Sequence, residues 1–309
     1  MLEVTHSSTV TEDQIDHLGH MNVRYYGVNA HAGTHAFLAG LDGWPAGPRL
    51  VHDAYTRHLR EQMLGTPLVV RTAVLGAGPD GIRIHHELAP ADADNLAAVF
   101  VHRVGPVDAD GTIRPVPAEV VDGALAAAVE PFAYAAPRTI DLEVDPLAAA
   151  PGLDLVRGRR LEQRQARTIG ADECDDRGRY RPDDALMLLW GGQPPEHVEE
   201  YGPDLHEGED GALMGWAVME TRVQLGRLPR VGTRIQSFGA YIAVHERATH
   251  RLHWCYDLDR GDVLCAFEAV NVAFDTRARR TMVIPDRFRT RMDAGVQPDL
   301  VPPRPVPVD

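Results

Sequence analysis

With 309 residues, 44% of them hydrophobic and 25% charged, the chain has material for two domains of about 150 residues each and needs no disulfide or metal to hold its core. A formal net charge of −14, with no basic tract to offset it locally, excludes general attraction to nucleic-acid phosphates. All 31 basic residues are arginine, which excludes a Schiff-base lysine, a pyridoxal anchor and a P-loop lysine.

From the N-terminus, residues 1–10 are polar and lack the apolar core of a signal segment, and no apolar run approaches membrane-spanning length. Cys174, Cys255 and Cys265 form no CxxC spacing and leave an odd count, the usage of a reducing compartment. A cytoplasmic protein is expected.

The first motif reads Asp16, His17, Leu18, Gly19, His20, Met21, Asn22 and runs into a helix that begins Val23, Arg24, Tyr25, Tyr26. A carboxylate three residues before a glycine at a helix mouth lies where free backbone amides stabilise negative charge, an arrangement suited to acyl transfer. The helix is expected over 23–38, with Gly40, Trp44 and Pro45 as stop signals. Gly27 and Gly33 within it, beside Ala30, Ala32 and Ala36, predict that a sheet packs very close. Strand periodicity follows at 68–75, 82–88 and 96–104, with glycine-rich turn residues at 76–81, so antiparallel neighbours are expected. His85 and His86 then fall on opposite faces of one strand. His31 and His35 are spaced four apart on the helix, but Ala32 stands where a zinc-protease motif needs glutamate, and no metal is expected.

Residues 106–154 carry scattered prolines and an alanine-rich piece, 118–129, expected to form a linking helix. The pattern then returns. A segment at 161–170 precedes a weakened motif, Asp175, Asp176, Arg177, Gly178, Arg179, Tyr180, Arg181; a helix is expected at 182–190 and strands at 218–225, 233–242, 248–256 and 263–274. Gly65, Pro67 and Leu68 are answered by Gly232, Thr233 and Arg234, and His86 by His253; the acidic, glycine-bearing stretch 194–211 absorbs the extra length. Cys174, with no basic partner evident beside it, reads as a buried thiol. The proline-rich tail, 293–309, reads as extended or loose.

Strand, glycine-rich helix and a run of strands, with Asp16, Gly19, His20, Asn22 and Tyr25 at the helix start and Leu64, Gly65, Pro67, Leu68 leading into a strand, resemble the hot-dog fold acyl-CoA thioesterases. The segment 55–88 is similar to thioesterases associated with carnitine breakdown. The resemblance implies an α+β, double hot-dog chain of two tandem units, each a long helix wrapped by an antiparallel sheet: an N-terminal unit at 1–105, a linker at 106–154, a C-terminal unit at 155–288 and an extended tail at 289–309. It further implies an intrachain pseudo-dimer, compatible with further homo-oligomerisation, in which the helix mouth of one unit faces strands of the other.

For the chemistry, the resemblance implies hydrolysis of an acyl-CoA or related thioester, with Asp16 as nucleophile or general base and amides near Gly19 and the helix start as oxyanion hole. His20 orients water or substrate, or is structural; Asn22 caps the helix or contacts the acyl group; Val23, Tyr25 and Tyr26 line the substrate. Asp175 and Gly178 mark a degenerate second site, because Arg179 stands where His20 does and Arg181 where Asn22 does. Those arginines either grip the phosphates of coenzyme A or are surface groups paired with Asp175, Asp176, Asp183 and Asp184. No cofactor is expected beyond coenzyme A as part of substrate and product, and neither nucleic acid nor membrane as partner. Two alternatives stay open: an acyl-thioester hydratase or dehydratase, whose Asp-x-Asn-Pro-x-His run is missing here, and a non-catalytic acyl-thioester binder. The acyl group is not legible; 6% aromatic content gives no strong sign of an aryl tunnel.

Overall fold

The structure, a computed structural model, describes residues 2–16, 18–93, 95–108, 111–159, 161–181, 188–189, 206–207 and 212–300. They form two compact units that divide between Arg138 and Thr139. Among the described residues, no helix is long and apolar enough to cross a membrane.

Unit 1 contains β1 (Glu3–Thr9), α1 (Val23–Ala39), β2 (Arg49–His58), β3 (Pro67–Gly78), β4 (Gly81–Pro90), β5 (Ala98–Pro106) and α2 (Ala118–Ala126). Its strands pair antiparallel in the order β1-β3-β4-β5-β2. α1 buries Tyr26, Asn29, Ala30, Gly33, Thr34 and Leu38, spaced three and four apart as one helical face. A Cβ on Gly33 would lie 2.7 Å from Val70 Cγ1, so this glycine lets helix and sheet meet. Gly27 has nothing within 4 Å and does not share that role.

The alternation of β4 sorts its side chains by face. Ile82 and Ile84 pack with Leu38, Val74 and Val104 on the helix side, where Val120 and Ala124 of α2 join the same core. The alanine-rich piece is therefore part of unit 1's packing rather than a free link; Val120 and Ala124 supply the apolar side that draws it down. On the opposite face, His85 meets the ring of Phe132 at 4.7 Å, and Glu87 accepts a hydrogen bond from Tyr134. Arg57 of β2 donates to the carbonyl oxygens of Ala136, at 2.6 Å, and Tyr134, so the chain after α2 is strapped across this face.

Unit 2 contains α3 (Leu153–Arg157), β6 (Glu162–Gln163), β7 (Arg167–Thr168), β8 (His206–Glu207), β9 (Leu213–Leu225), β10 (Arg234–Val244), β11 (Ala248–Asp257), β12 (Val263–Asp275), β13 (Arg280–Thr281) and α4 (Asp286–Asp293). The long strands run β9-β12-β11-β10, all antiparallel; β6 and β7 pair with β10, β8 with β9 and β13 with β12. Leu153, Val156, Phe238, Leu252, Trp254 and Tyr256 make its main core. Alternate residues of β9 hold a second strap: Glu220 accepts from the amides of Thr139 and Ile140, both at 3.2 Å, Arg222 donates to the carbonyl of Val144 at 2.6 Å, and Gln224 accepts from the amide of Leu147 at 3.1 Å.

The helix expected at 182–190 lies outside the described residues apart from 188–189, as does most of the stretch 194–211. The tail departs from expectation. Its first part is the helix α4, Val296 bridges to Tyr241, and Leu300 is buried in the Trp254 core, an apolar anchor that holds the chain against unit 2. Residues 301–309 lie outside the described residues.

Candidate active site

The first motif is a closed loop made largely by its own backbone. Ile15 and Met21 form an antiparallel bridge, the Asp16 amide donates to His20 O at 2.9 Å, and the Gly19 amide donates to Asp16 O at 3.0 Å. Gly19 sits at φ +84°, where a side chain would be strained. Asp16 Oδ1 accepts the Leu18 amide at 2.9 Å, which fixes the carboxylate, while Oδ2 lies 3.5 Å from His20 Nδ1. Both side chains are 14% exposed, so the carboxylate is largely shielded from solvent.

His20 Nε2 lies 3.5 Å from Glu61 Oε1, which places the imidazole between two carboxylates. Glu61 belongs to the connection between β2 and β3, and that connection is tied to the motif. Gln62 O accepts the Met21 amide at 2.7 Å, and Arg60 O accepts the Tyr26 hydroxyl at 2.9 Å.

Asn22 is the helix cap. Its Oδ1 accepts the Arg24 amide at 3.0 Å, its carbonyl accepts the Tyr25 amide at 3.0 Å, and its own amide donates to Gln14 O at 2.9 Å. Of the two roles expected for Asn22, the structure shows the capping one. The Val23 amide, first in the helix, donates to no described residue and carries the positive end of the helix dipole. Tyr26 is buried under the loop, and its phenol is pushed up by burial and by the negative charge of Asp16, against a lowering contact from the Gln62 backbone. The ring of His58 meets Tyr26 edge-on at 5.1 Å, and burial pulls this imidazole down to about 4. Tyr25 is half-buried and directs its hydroxyl to Asp13 O at 3.3 Å.

The second motif repeats this backbone pattern bond for bond. Cys174 bridges Tyr180, the Asp175 amide donates to Arg179 O at 2.7 Å, the Gly178 amide to Asp175 O at 2.9 Å and the Arg181 amide to Glu173 O at 3.1 Å. Gly178 is again left-handed, at φ +69°. The Tyr180 amide donates to Pro229 O at 2.9 Å, as Met21 does to Gln62. Gly65 and Gly232 each donate to the residue that precedes the loop, Val10 and Ile169.

The side chains differ. Asp175 Oδ1 accepts the amides of Arg177 at 3.0 Å and Arg179 at 2.9 Å, and Oδ2 accepts Nε and Nη2 of Arg179 at 3.1 and 2.9 Å. Burial would raise this carboxyl, but the Arg179 and Arg177 contacts outweigh it and hold the group below its usual range. Arg179 pairs with Asp175, as one of its two expected roles has it, but it is only 5% exposed rather than at the surface. Arg181 is exposed. Asp183 and Asp184 lie outside the described residues. Cys174 is buried, its thiol pushed up by burial and by Glu173 and Asp175.

Of the pair His31 and His35, His31 meets a buried polar network. Thr34 Oγ1, between them in sequence, lies 2.8 Å from His86 Nε2 and 2.9 Å from His102 Nδ1, and the ring of His31 is 5.1 Å from that of His102. Among the described residues, no group of three or more His, Cys, Asp or Glu is placed to hold a metal ion.

Residues 10–127, which contain the whole Asp16 loop and its Glu61 connection, match the family model described as the Thioesterase-like superfamily. Among solved structures, the chain is similar to the 12:0-ACP thioesterase from Umbellularia californica, with 12% identity, TM-score 0.59 and coverage of 87% of this chain and 93% of that one. It is also similar to an acyl-ACP thioesterase from Bacteroides thetaiotaomicron, with 13% identity, TM-score 0.55 and coverage of 87% and 97%. At these identities the likeness establishes the hot-dog fold alone. No curated protein matches the sequence.

The loop gathers Asp16, Gly19, His20, Asn22, Val23 and Tyr26 at one helix mouth, as the motif spacing requires. Glu61 and the backbone of Arg60 and Gln62 were not legible as site residues. Glu61 is a single acid far from the motif in sequence, and its only cue is its place just before Leu64, Gly65 and Pro67.

Proposed function

We propose that this protein hydrolyses an acyl thioester, with Asp16 as the reactive carboxylate and coenzyme A as the first acyl carrier to test. The observation that carries the proposal is the shielded Asp16 carboxylate at a helix N-terminus, one oxygen fixed by an amide and the other beside a histidine that reaches Glu61. In the general-base form, Asp16 takes a proton from a water oriented by His20, and that water attacks the thioester carbonyl. The Val23 amide and the helix dipole stabilise the oxyanion. Collapse breaks the carbon–sulfur bond, and the thiolate leaves with the proton returned from Asp16. In the nucleophilic form Asp16 attacks directly and water resolves the resulting anhydride.

The proposal extends to architecture: a double hot-dog chain with one working motif and one silenced copy. The repeated loop hydrogen bonds support the duplication, and the Arg179 clamp on Asp175 supports the silencing. The names of both structural relatives say ACP; the net charge of −14 opposes an acidic carrier protein but also opposes the anionic phosphates of coenzyme A, so both carriers belong in the test.

The test is thiol release from a panel of acyl-CoA and acyl-ACP substrates by the wild type and by Asp16→Asn. Loss of a carboxylate base lowers turnover by roughly a hundredfold or more while near-UV circular dichroism is retained. Addition of water to enoyl thioesters without thiol release would instead identify a hydratase. Binding with no turnover of any thioester would identify a binder.

A further inference from the structure

Outside the Asp16 site, unit 2 places two thiols face to face. Cys255 of β11 and Cys265 of β12 are direct cross-strand partners, and both are free. Residues opposite one another in an antiparallel pair share a face, with Cα atoms about 4.5–5.5 Å apart, inside the roughly 4.4–6.8 Å window of a disulfide. Both side chains are fully buried, whereas Cys174 lies in the second motif. The register shifts immediately beyond Cys255, so the pair sits at an irregular end of the hairpin.

We propose that Cys255 and Cys265 are a redox site: a reversible cross-strand disulfide that staples β11 to β12 when the chain folds in the presence of a small disulfide such as oxidised glutathione. One thiolate attacks oxidised glutathione, forming a mixed disulfide and releasing one glutathione thiolate. The second thiolate attacks the protein sulfur of that mixed disulfide and releases the other. Two protein thiols are oxidised, one glutathione disulfide is reduced to two thiols, and the two protons pass to solvent. In the closed sheet the exchange is slow. Burial pushes the Cys255 thiol up to about 12, and burial and the neighbouring Cys255 push that of Cys265 well above its usual range, so thiolate is scarce until the strands part.

The test refolds the full chain from denaturant in a reduced and oxidised glutathione mixture, which removes the kinetic barrier of burial. Remaining thiols are then alkylated and the protein is digested with trypsin, which cuts at Arg251, Arg260 and Arg277 and so separates the two cysteines. The expected result is natively folded protein in which peptide 252–260 is joined to 261–277, lighter by two hydrogens than the sum, with Cys174 alkylated. The oxidised protein then unfolds at a higher temperature than the reduced, and the difference disappears in Cys255→Ser and in Cys265→Ala. Native protein with three alkylated cysteines, a linkage through Cys174, or oxidised protein that fails to regain the native spectrum would each overturn the proposal. Thioester turnover is expected to be the same in both redox states, so this proposal and the hydrolase reading stand or fall separately.

Discussion

Asp16 and Asp175 occupy the same loop with the same backbone bonds, and what separates them is the number of donors on the carboxylate. Asp16 accepts one amide on Oδ1 and has His20 at a loose 3.5 Å on Oδ2, while Asp175 accepts two amides and two guanidinium N–H groups. A carboxylate saturated by four donors is a poor base, because each donor stabilises the ionised form. In the proposed mechanism Glu61 acts on Asp16 through His20, which it approaches to 3.5 Å. Removing its charge in Glu61→Gln is expected to lower kcat about tenfold, or about 1.4 kcal/mol, with KM little changed, measured by steady-state thiol release. A fall in KM affinity with kcat intact would instead mark Glu61 as a substrate contact.

A second residue-scale consequence comes from His86 and His102. Burial pulls His86 down to about 3, and burial, with the nearby histidines, pulls His102 well below 6.5. The unfolded chain therefore binds protons below about pH 6.5 that the folded chain refuses. Their stability contribution is complete above that pH and is lost as pH falls, by up to about 1.4 kcal/mol per pH unit for each histidine. Chemical denaturation between pH 7 and pH 4 is expected to show this slope, reduced by about one proton in His86→Gln. An unchanged slope in that variant would remove His86 as its source.

At the scale of elements, α1 shows how far composition reaches. Two glycines in a helix predict close packing, yet only Gly33 faces the sheet, against Val70 and Thr5. Gly33→Ala is expected to destabilise by about 1–3 kcal/mol through overpacking. Gly27→Ala, with open space at its Cβ, is expected to stabilise by up to about 1 kcal/mol. Urea midpoints that moved in the same direction for both would contradict this packing. The main strands of both units were legible because β3, β4 and β9 to β12 are rich in β-branched and apolar residues with turn residues between them. β2 was not read with its bounds: Arg49, His52, Asp53, Arg57 and His58 interrupt its alternation, and several are there to bind other backbone, as Arg57 binds the strap. The site was legible where its residues are consecutive, as at Asp16 to Val23, and illegible where folding brings a distant loop to them, as at Glu61.

At the scale of the whole molecule, the chain uses one loop design twice and keeps the surrounding scaffolds distinct. Unit 1 straps its outer face through Arg57 and Glu87, and unit 2 through Glu220, Arg222 and Gln224. The helix after α4 that a proline-rich tail does not suggest is a short 3₁₀ turn ending in Leu300, whose burial rather than its backbone preference keeps the segment ordered. Length and composition anticipate two domains; they carry no information about such straps, which depend on long-range pairing of buried charge with backbone.

The guanidinium cover on Asp175 also has a counting consequence. A duplicated enzyme with two open loops would take up two equivalents of inhibitor per polypeptide and could display interaction between them. Here, isothermal titration with a non-hydrolysable acyl-CoA analogue is expected to saturate at a molar ratio of one, with a hyperbolic rate curve for the cognate substrate. Arg179→His is the substitution expected to admit a second equivalent.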